Sequence, residues 1–155
     1  MFRDEIHQVL DSLKDMPRKI QWVLDTQPKT IQAAAERMVN ANSFLFLGRH
    51  VGYPVALEGA LKLKEIAYTF TEGFAAGELK HGPIALVDEG EPVVFIVPPQ
   101  RGRNVLHAKV ISGIEEVKAR GAYIIAVAEQ ATRMWNGTLS GVLAPRLPNA
   151  DEPAG

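Results

Sequence analysis

The sequence predicts an α/β domain in which a parallel sheet is flanked by helices and preceded by N-terminal helices. Three short, continuous apolar runs carry this prediction: residues 43–48, 92–97 and 122–128. Runs of this kind are typical of strands that are buried on both faces. Segments with helical spacing of apolar residues lie between the runs, and strands that alternate with helices favour right-handed crossovers and a parallel sheet.

The N-terminal helices are indicated by apolar spacing and by the positions of prolines. Residues 3–15 carry apolar side chains at helical spacing. Pro17 is well placed in the first turn of a second helix, which stops before Pro28. A third helix is predicted over 29–40. Its predicted inward face consists of Ile31, Ala34, Ala35, Met38 and Val39.

Two longer helices are predicted among the strands. The first spans about 54–70, and the second spans about 104–120 and stops at Gly121. The first is expected to be heavily packed because it is rich in apolar residues. The residues that indicate this packing are Leu57, Ala60, Leu61 and Ile66.

The apolar pattern weakens after residue 129, and residues 139–143 are the last predicted strand. We therefore divide the chain into three parts. These are an N-terminal helical segment that packs on the domain (1–41), a core (42–129) and a divergent or disordered tail (130–155).

Composition and charge exclude several classes of function. The 155 residues suit a single domain, and the 46% hydrophobic content is too high for a disordered chain. A net charge of −1 argues against nucleic acids or anionic membranes as the main partners. The chain has no cysteine, which excludes disulfides, thiolate catalysis and cysteine-zinc sites, and its four histidines show no metal-ligand spacing. We therefore expect no metal and no cofactor.

The sequence shows no targeting or membrane signal. No apolar run approaches the roughly 20 residues that a membrane helix needs. The first residues are acidic and amphipathic, unlike a secretory signal. The expected location is therefore the cytoplasm.

The helix over 54–70 carries the first candidate site. Glu58, Lys62 and Glu65 are spaced at i, i+4 and i+7 and therefore share one face. Such a stripe can be an ion-pair ladder on a solvent-facing surface. The alternative is a carboxylate held beside an ammonium group, able to act as a base in proton transfer. The spacing alone leaves both interpretations open.

Two glycine-containing segments are further candidates. In 71–83, three glycines and a proline surround Glu78, Lys80 and His81. A histidine framed in this way can act as an acid or base near neutral pH, or it can be structural. The loop 48–53 follows a predicted strand and leads into a helix, where backbone N–H groups can bind a phosphate. A tight strand-to-helix turn explains the same loop.

Two sequence blocks carry a family resemblance. Residues 47–66 read LGRHVGYPVALEGALKLKEI, and residues 75–86 read AAGELKHGPIAL. Together they resemble the second sugar isomerase (SIS) domain of the glutamine–fructose-6-phosphate aminotransferases, the isomerising glucosamine-6-phosphate synthases. The resemblance covers about residues 3–129. It implies a SIS fold and a part in converting fructose 6-phosphate and glutamine into glucosamine 6-phosphate and glutamate.

The resemblance also implies roles for individual residues. Glu65 matches the family's carboxylate that moves a proton between sugar C1 and C2, and Lys62 matches a lysine that assists this step. Glu58 matches another active-site carboxylate, which we assign to substrate binding. His81 matches a histidine that opens the sugar ring in the partner subunit's site, which implies a homodimer. We therefore expect Glu65 beside Lys62 on a helix face that opens towards the strand ends, with His81 supplied by a second copy.

Other parts of the family's machinery have no match in the sequence. The family's glutaminase needs an N-terminal cysteine, its first SIS domain supplies most of the sugar-phosphate cradle, and its C-terminal Schiff-base lysine has no counterpart after residue 129. We therefore expect no complete synthase activity from this chain alone, and its implied partners are the glutaminase and first SIS domains. Two other interpretations remain: a non-catalytic SIS module that binds sugar phosphates, and a stand-alone SIS sugar-phosphate isomerase or deaminase.

Overall fold

The computed structural model of the chain describes residues 2–99, 105–128 and 141–143. Its helices are α1 (Phe2–Lys14), α2 (Met16–Thr26), α3 (Pro28–Arg37), α4 (Gly52–Ala67) and α5 (Val105–Lys118). Its strands are β1 (Ser43–Gly48), β2 (Phe70–Ala75), β3 (Pro92–Ile96), β4 (Tyr123–Val127) and β5 (Gly141–Leu143). Two short 3-10 turns, Leu79–His81 and Pro83–Leu86, connect β2 to β3.

The described strands form one parallel sheet with the order β2-β1-β3-β4-β5. The prediction of a parallel α/β sheet flanked by helices is therefore confirmed. β1 coincides with the predicted strand, while β3 and β4 are slightly shorter than the apolar runs that predicted them. β5 lies within the short strand predicted over 139–143.

The three N-terminal helices begin and end close to the predicted boundaries. Pro17 and Pro28 each lie in the first turn of a helix, where the missing N–H group costs nothing. α3 ends at Arg37, earlier than the predicted residue 40. At the other end of the domain, Gly121 follows α5 with a φ of +86°, a conformation that favours glycine and explains the predicted stop.

Strand β2 was not predicted from the sequence. The predicted helix over 54–70 ends instead at Ala67, and Tyr68 turns the chain with a φ of +55°. Gly73, one of the three glycines noted in 71–83, lies within β2, and α4 packs directly on it. A Cβ atom at position 73 would lie 3.1 Å from the Cα atom of Leu57. The glycine therefore permits close helix–strand packing inside a strand.

The two faces of the sheet are covered by different segments. On one face, Leu47 and Phe95 pack with Ile114 of α5 and with Leu79 of the first 3-10 turn. On the other face, Phe46 and Val94 pack with Ala56 and Ala60 of α4. Side chains of β1 and β3 alternate between these two clusters, as the pleat requires. The sheet therefore separates α4 from both α5 and the 3-10 turns.

The two strands that follow β1 in the chain lie on opposite sides of it in the sheet. The helix that connects β1 to β2 crosses one face, and the segment that connects β2 to β3 crosses the other face. β1 therefore pairs with β2 on one side and with β3 on the other, and the β1–β2 and β2–β3 connections cross opposite faces of the sheet. In open parallel sheets, ligand crevices form at such a point, beyond the carboxyl ends of the strands.

Helix packing differs from the prediction in two places. Several of the larger apolar residues of α4 remain exposed: Leu57 and Leu61 are 41% and 43% exposed, and Ile66 is 75% exposed. Of the residues that indicated a heavily packed helix, Ala60 is buried against the sheet, whereas Leu57, Leu61 and Ile66 are largely exposed, so the expectation holds only in part. On α3 and just beyond its end, Ile31 and Val39 are exposed rather than inward-facing. Apolar spacing indicates that a helix has an apolar side but does not say which side meets the sheet.

Exposed apolar side chains also occur on α1 and α2. Ile6, Val9, Leu13, Ile20 and Leu24 are all more than half exposed. None of the helices in the described part of the chain is long and apolar enough to cross a membrane. The packing of residues 1–41 on the domain stays a prediction.

Candidate active site

The Glu58–Lys62–Glu65 stripe forms an ion-pair array on the surface of α4. Lys62 Nζ donates a hydrogen bond to Glu65 Oε2 at 2.8 Å and lies 3.5 Å from Glu58 Oε1. The hydrogen bond to Glu65 raises the pKa of Lys62, and the charges of Glu65 and Glu58 add to this effect. All three side chains are about half exposed. The predicted proximity of Glu65 and Lys62 is therefore confirmed, and Lys62 remains a cation at neutral pH.

The position of the stripe on α4 differs from the prediction. Helix α4 begins at Gly52, just after the carboxyl end of β1, and runs back towards the start of β2 at Phe70. Glu65 lies in the last turn of this helix and therefore near the amino ends of the strands. The expectation that Glu65 faces the carboxyl strand ends is wrong, because a crossover helix runs antiparallel to the strands that it connects.

His81 lies at the end of the first 3-10 turn. Its Nδ1 atom is 2.7 Å from Glu78 Oε2, and both side chains are about two-thirds exposed. The turn is anchored by the buried side chain of Leu79, and it ends at Gly82, whose φ of +143° favours glycine. A carboxylate beside Nδ1 fixes the orientation and the proton position of an imidazole. Glu78 is thus a partner of His81 that the spacing alone did not assign.

One copy of the chain does not bring His81 to Glu65. Leu79 belongs to the cluster on the α5 side of the sheet, whereas Ala56 and Ala60 place α4 on the opposite side. The carboxylate stripe and the histidine turn therefore lie on different faces of the molecule. Both sets of side chains remain open to solvent.

The loop after β1 is a tight turn. The N–H groups of Gly52 and Tyr53 donate to the carbonyl oxygens of Arg49 and His50, both at 3.0 Å, so they are occupied within the turn. A Cβ atom at position 48 would lie 2.7 Å from the Tyr53 nitrogen, which explains the glycine there. Of the two interpretations of this loop, the structure favours the strand-to-helix turn over a backbone phosphate cradle.

No cluster of three or more metal-ligating side chains occurs in the part of the chain that the structure describes.

Thr71, which is fully buried, donates a hydrogen bond to the carbonyl oxygen of Ala60 at 2.6 Å. This bond joins β2 to α4 and holds the helix that carries the stripe against the sheet edge.

The chain is similar to the isomerising glutamine–fructose-6-phosphate aminotransferases of several bacteria. It is 64% identical to the Corynebacterium efficiens protein over 129 residues, which are 83% of this chain and 20% of that protein. It is 56% identical to the Corynebacterium glutamicum protein over 149 residues, or 96% and 23% of the two chains. The chain therefore spans about a fifth of the length of these relatives, and the resemblance predicted from the motifs is confirmed.

Solved structures agree with this assignment. The C-terminal domain of glucosamine-fructose-6-phosphate aminotransferase from Francisella tularensis superposes with a TM-score of 0.81 and 37% identity, covering 92% of this chain and 39% of that one. The tagatose-6-phosphate ketose/aldose isomerase from Escherichia coli, at 13% identity and a TM-score of 0.62, shares the fold over 89% of this chain and 39% of its own. The sequence profile of the SIS domain family matches residues 37–136. Because this match spans about two thirds of the sequence, the chain belongs to the SIS domain family.

Proposed function

We propose that the chain is the second SIS domain of an isomerising glutamine–fructose-6-phosphate aminotransferase. Its substrate in that role is fructose 6-phosphate, its product is glucosamine 6-phosphate, and its location is the cytoplasm. The observation that carries the proposal is the 64% identity to such an enzyme over 129 residues. This stretch of similarity accounts for most of the chain and contains both the carboxylate stripe and the histidine turn.

In the proposed mechanism, Glu65 is the base that moves a proton between C1 and C2 of the open-chain sugar. Such a step develops negative charge on the sugar oxygen, and a cation beside the base stabilises that charge. Lys62 is suited to this role because it is already held 2.8 Å from Glu65 and remains protonated. Glu58 lies 3.5 Å from Lys62 and contacts the substrate or keeps Lys62 in place.

The proposed chemistry requires a cover over the α4 face. A carboxylate that is half exposed to water is a weak base, and exclusion of water strengthens electrostatic interactions within a site. The exposed Leu57 and Leu61 lie on α4 beside the stripe and offer an apolar surface for packing. We assign this cover to the first SIS domain, and the ammonia supply to the glutaminase domain. The family resemblance implies that both domains belong to the longer relatives, of which this chain spans about a fifth.

In the same proposal, His81 opens the sugar ring in the site of a second copy. The placement of His81 and Glu65 on opposite faces supports this arrangement, because one copy cannot supply both groups to one substrate. The Glu78 carboxylate, 2.7 Å from Nδ1, orients the imidazole for proton transfer. The proposed assembly is therefore a homodimer with two shared sites.

A domain-exchange experiment tests the proposed function. Residues 3–128 replace the matching segment of the Corynebacterium efficiens enzyme, and glucosamine 6-phosphate is measured with fructose 6-phosphate and glutamine as substrates. We expect the chimera to form product. A folded chimera without turnover, together with fructose 6-phosphate binding by the chain on its own, would instead support a sugar-phosphate-binding SIS module.

A complementation experiment tests the shared site. Chimeras carrying Glu65→Gln and His81→Asn are co-expressed in equal amounts. Random pairing makes half of the dimers mixed, and each mixed dimer has one intact site, so about a quarter of the parental activity should return. Activity no higher than that of the separate variants would show that both residues act within one copy. Sedimentation of each variant alone confirms that the dimer forms.

A further inference from the structure

Thr71 is a fully buried polar side chain between β2 and α4. Its Oγ1 atom donates a hydrogen bond of 2.6 Å to the carbonyl oxygen of Ala60, which lies 11 residues earlier in the chain. In an α-helix such a carbonyl oxygen also accepts the N–H group of the residue four positions later. The hydroxyl group is therefore an additional donor to a helix whose backbone groups already bond one another.

Packing alone does not account for a threonine at this position. Removing a hydroxyl group from water costs free energy unless the group finds a hydrogen-bond partner. Valine has a similar shape, suits a β-strand and would be buried here without that cost. The hydrogen bond to Ala60 offsets the cost, and it supplies what valine cannot, a directional link between the edge strand and the helix.

Small residues make up much of the contact between α4 and the sheet. Ala56 and Ala60 are buried against it, and a Cβ atom at Gly59 would lie 2.9 Å from Cε1 of Phe46. On the strand side, Gly73 lets the helix backbone approach β2 closely. Small side chains allow close approach but interdigitate little. A directional hydrogen bond therefore adds a sharp constraint on the position of the helix along its axis.

The hydrogen bond lies within the part of α4 that carries the carboxylate stripe. Ala60 stands between Glu58 and Lys62 in the sequence, and Lys62 and Glu65 follow it by about 3 Å and about 7.5 Å along the helix axis. Ala60 is buried against the sheet, whereas the stripe is half exposed. Because the backbone hydrogen bonds make the helix a stiff element, a constraint on its buried side also places its exposed side.

We propose that Thr71 is a positioning residue of the proton-transfer site. Its hydrogen bond sets the position of α4 relative to β2, and it thereby places Lys62 and Glu65 with respect to the sugar. The proposal rests on the proposed function, because it takes Glu65 as the base. A base must come within about 2.6 to 3.2 Å of its proton-bearing partner atom, and a misplacement of about 1 Å can cost about a hundredfold in rate.

Serine and alanine at position 71 provide the sharpest comparison. Both substitutions remove the methyl group of threonine, and they differ only in the hydroxyl group that donates to Ala60. In the chimera described above, Thr71→Ser should retain turnover within about twofold, whereas Thr71→Ala should lower it roughly fivefold or more. The Michaelis constant for fructose 6-phosphate should change by less than about twofold in both. Equal turnover of the two variants would overturn the proposal.

Thr71→Val tests the effect of displacing the helix. A methyl group in place of Oγ1 would lie 2.6 Å from the Ala60 oxygen, inside the ordinary C···O contact of about 3.3 to 3.6 Å, so α4 must shift from β2 by about 0.7 to 1 Å. Turnover should therefore fall about ten- to a hundredfold. Thr69→Val is the matched control, because the Thr69 hydroxyl bonds the nearby carbonyl of Ala67 at 3.3 Å, and it should leave turnover unchanged. Parental turnover of Thr71→Val would contradict the positioning role.

The Glu65→Gln background separates positioning from a general loss of folded protein. If Thr71 acts through Glu65, Thr71→Ala should change the residual turnover of Glu65→Gln by less than about twofold, because the base that it positions is already absent. A purely structural effect would lower turnover by the same factor in both backgrounds and would overturn the proposal. Ile124→Val, a core substitution under the other face of the sheet, should lower the unfolding temperature without changing turnover of the folded enzyme.

Failure of this proposal can be distinguished from failure of the proposed function. An inactive chimera, or parental turnover of Glu65→Gln, would overturn both. A large loss in Glu65→Gln, together with equal turnover of Thr71→Ser and Thr71→Ala, would keep Glu65 as the base and would overturn only the role of Thr71.

Discussion

Replacing Glu65 by glutamine in the active chimera should lower turnover by a hundredfold or more. The amide keeps the shape and the hydrogen-bonding oxygen of the side chain but cannot accept the substrate proton. Loss of a positioned general base costs about 100- to 10,000-fold in rate. Glu65 holds Lys62 at 2.8 Å, while Glu58 at 3.5 Å remains available to keep that lysine near its position. The loss should therefore fall on turnover more than on the Michaelis constant for fructose 6-phosphate.

The structure indicates that Glu65→Gln should leave folding almost unchanged. Glu65 and Lys62 are each about half exposed, and solvent screening makes surface ion pairs of this kind contribute little to stability. Thermal unfolding of the variant should consequently match that of the parent chimera. Equal stability with much lower turnover would separate a chemical role from a structural one.

The assay measures glucosamine 6-phosphate formation by the purified chimeras under saturating glutamine. Glu58→Gln should cost less than Glu65→Gln, since Glu58 makes only the longer contact to Lys62. Glu115→Gln, an exposed carboxylate on α5 across the sheet, is the matched control and should retain full activity. If the Glu65→Gln chimera were as active as the parent, the stripe would be an ion-pair ladder without a catalytic role.

The chain alone should form no glucosamine 6-phosphate from fructose 6-phosphate and glutamine, because it contains no cysteine for a glutaminase; product from the purified chain would contradict this. Gly73→Ala should destabilise the chain by about 1 to 3 kcal/mol in urea unfolding, because the new Cβ would overpack against the Leu57 backbone, whereas Gly113→Ala, 3.9 Å from its nearest neighbour, should be neutral or stabilising. The pKa of Asp15 should be low in an NMR titration, because Arg18 donates a hydrogen bond to it, with Lys19 also nearby. Its contribution to stability is therefore present above the ordinary aspartate pKa near 3.9 and lost as the pH falls through the lowered value, and Arg18→Gln should move that pKa back up.

Much of the fold was predictable because its central strands are chemically distinct. β1, β3 and β4 are buried on both faces, so each consists of a continuous apolar run. Exposed segments have no physical requirement for such a run. β2 is an edge strand with the exposed residues Phe70 and Glu72 and with Gly73 at its centre, so it lacks such a run. Its glycine permits close packing against Leu57 of α4, a residue that is distant in the sequence but adjacent in the fold, so the local sequence does not signal it.

The candidate site was predictable in composition but not in placement. Helical spacing correctly puts Glu58, Lys62 and Glu65 on one stripe, because that periodicity is a local property. Two features of the placement depend on the direction and handedness of the crossovers. These are the end of the sheet near which Glu65 lies and the face of the sheet on which His81 lies. Arg49, Lys80 and Lys109 line one cavity although they come from three segments, so no single motif signals it.

The surroundings of the stripe bear on the choice between its two interpretations. An ion-pair ladder on a solvent-facing helix is usually accompanied by other polar residues on that face. Here the outward surface of α4 also carries Leu57, Leu61 and Ile66, each more than 40% exposed. Exposed apolar side chains around a charged array are typical of a surface that another domain covers. Such a cover excludes water and thereby strengthens the electrostatic interactions among the charged groups. The exposed apolar side chains therefore support our proposal of a covered acid–base site, in which the covering domain would exclude water from Glu65 during proton transfer.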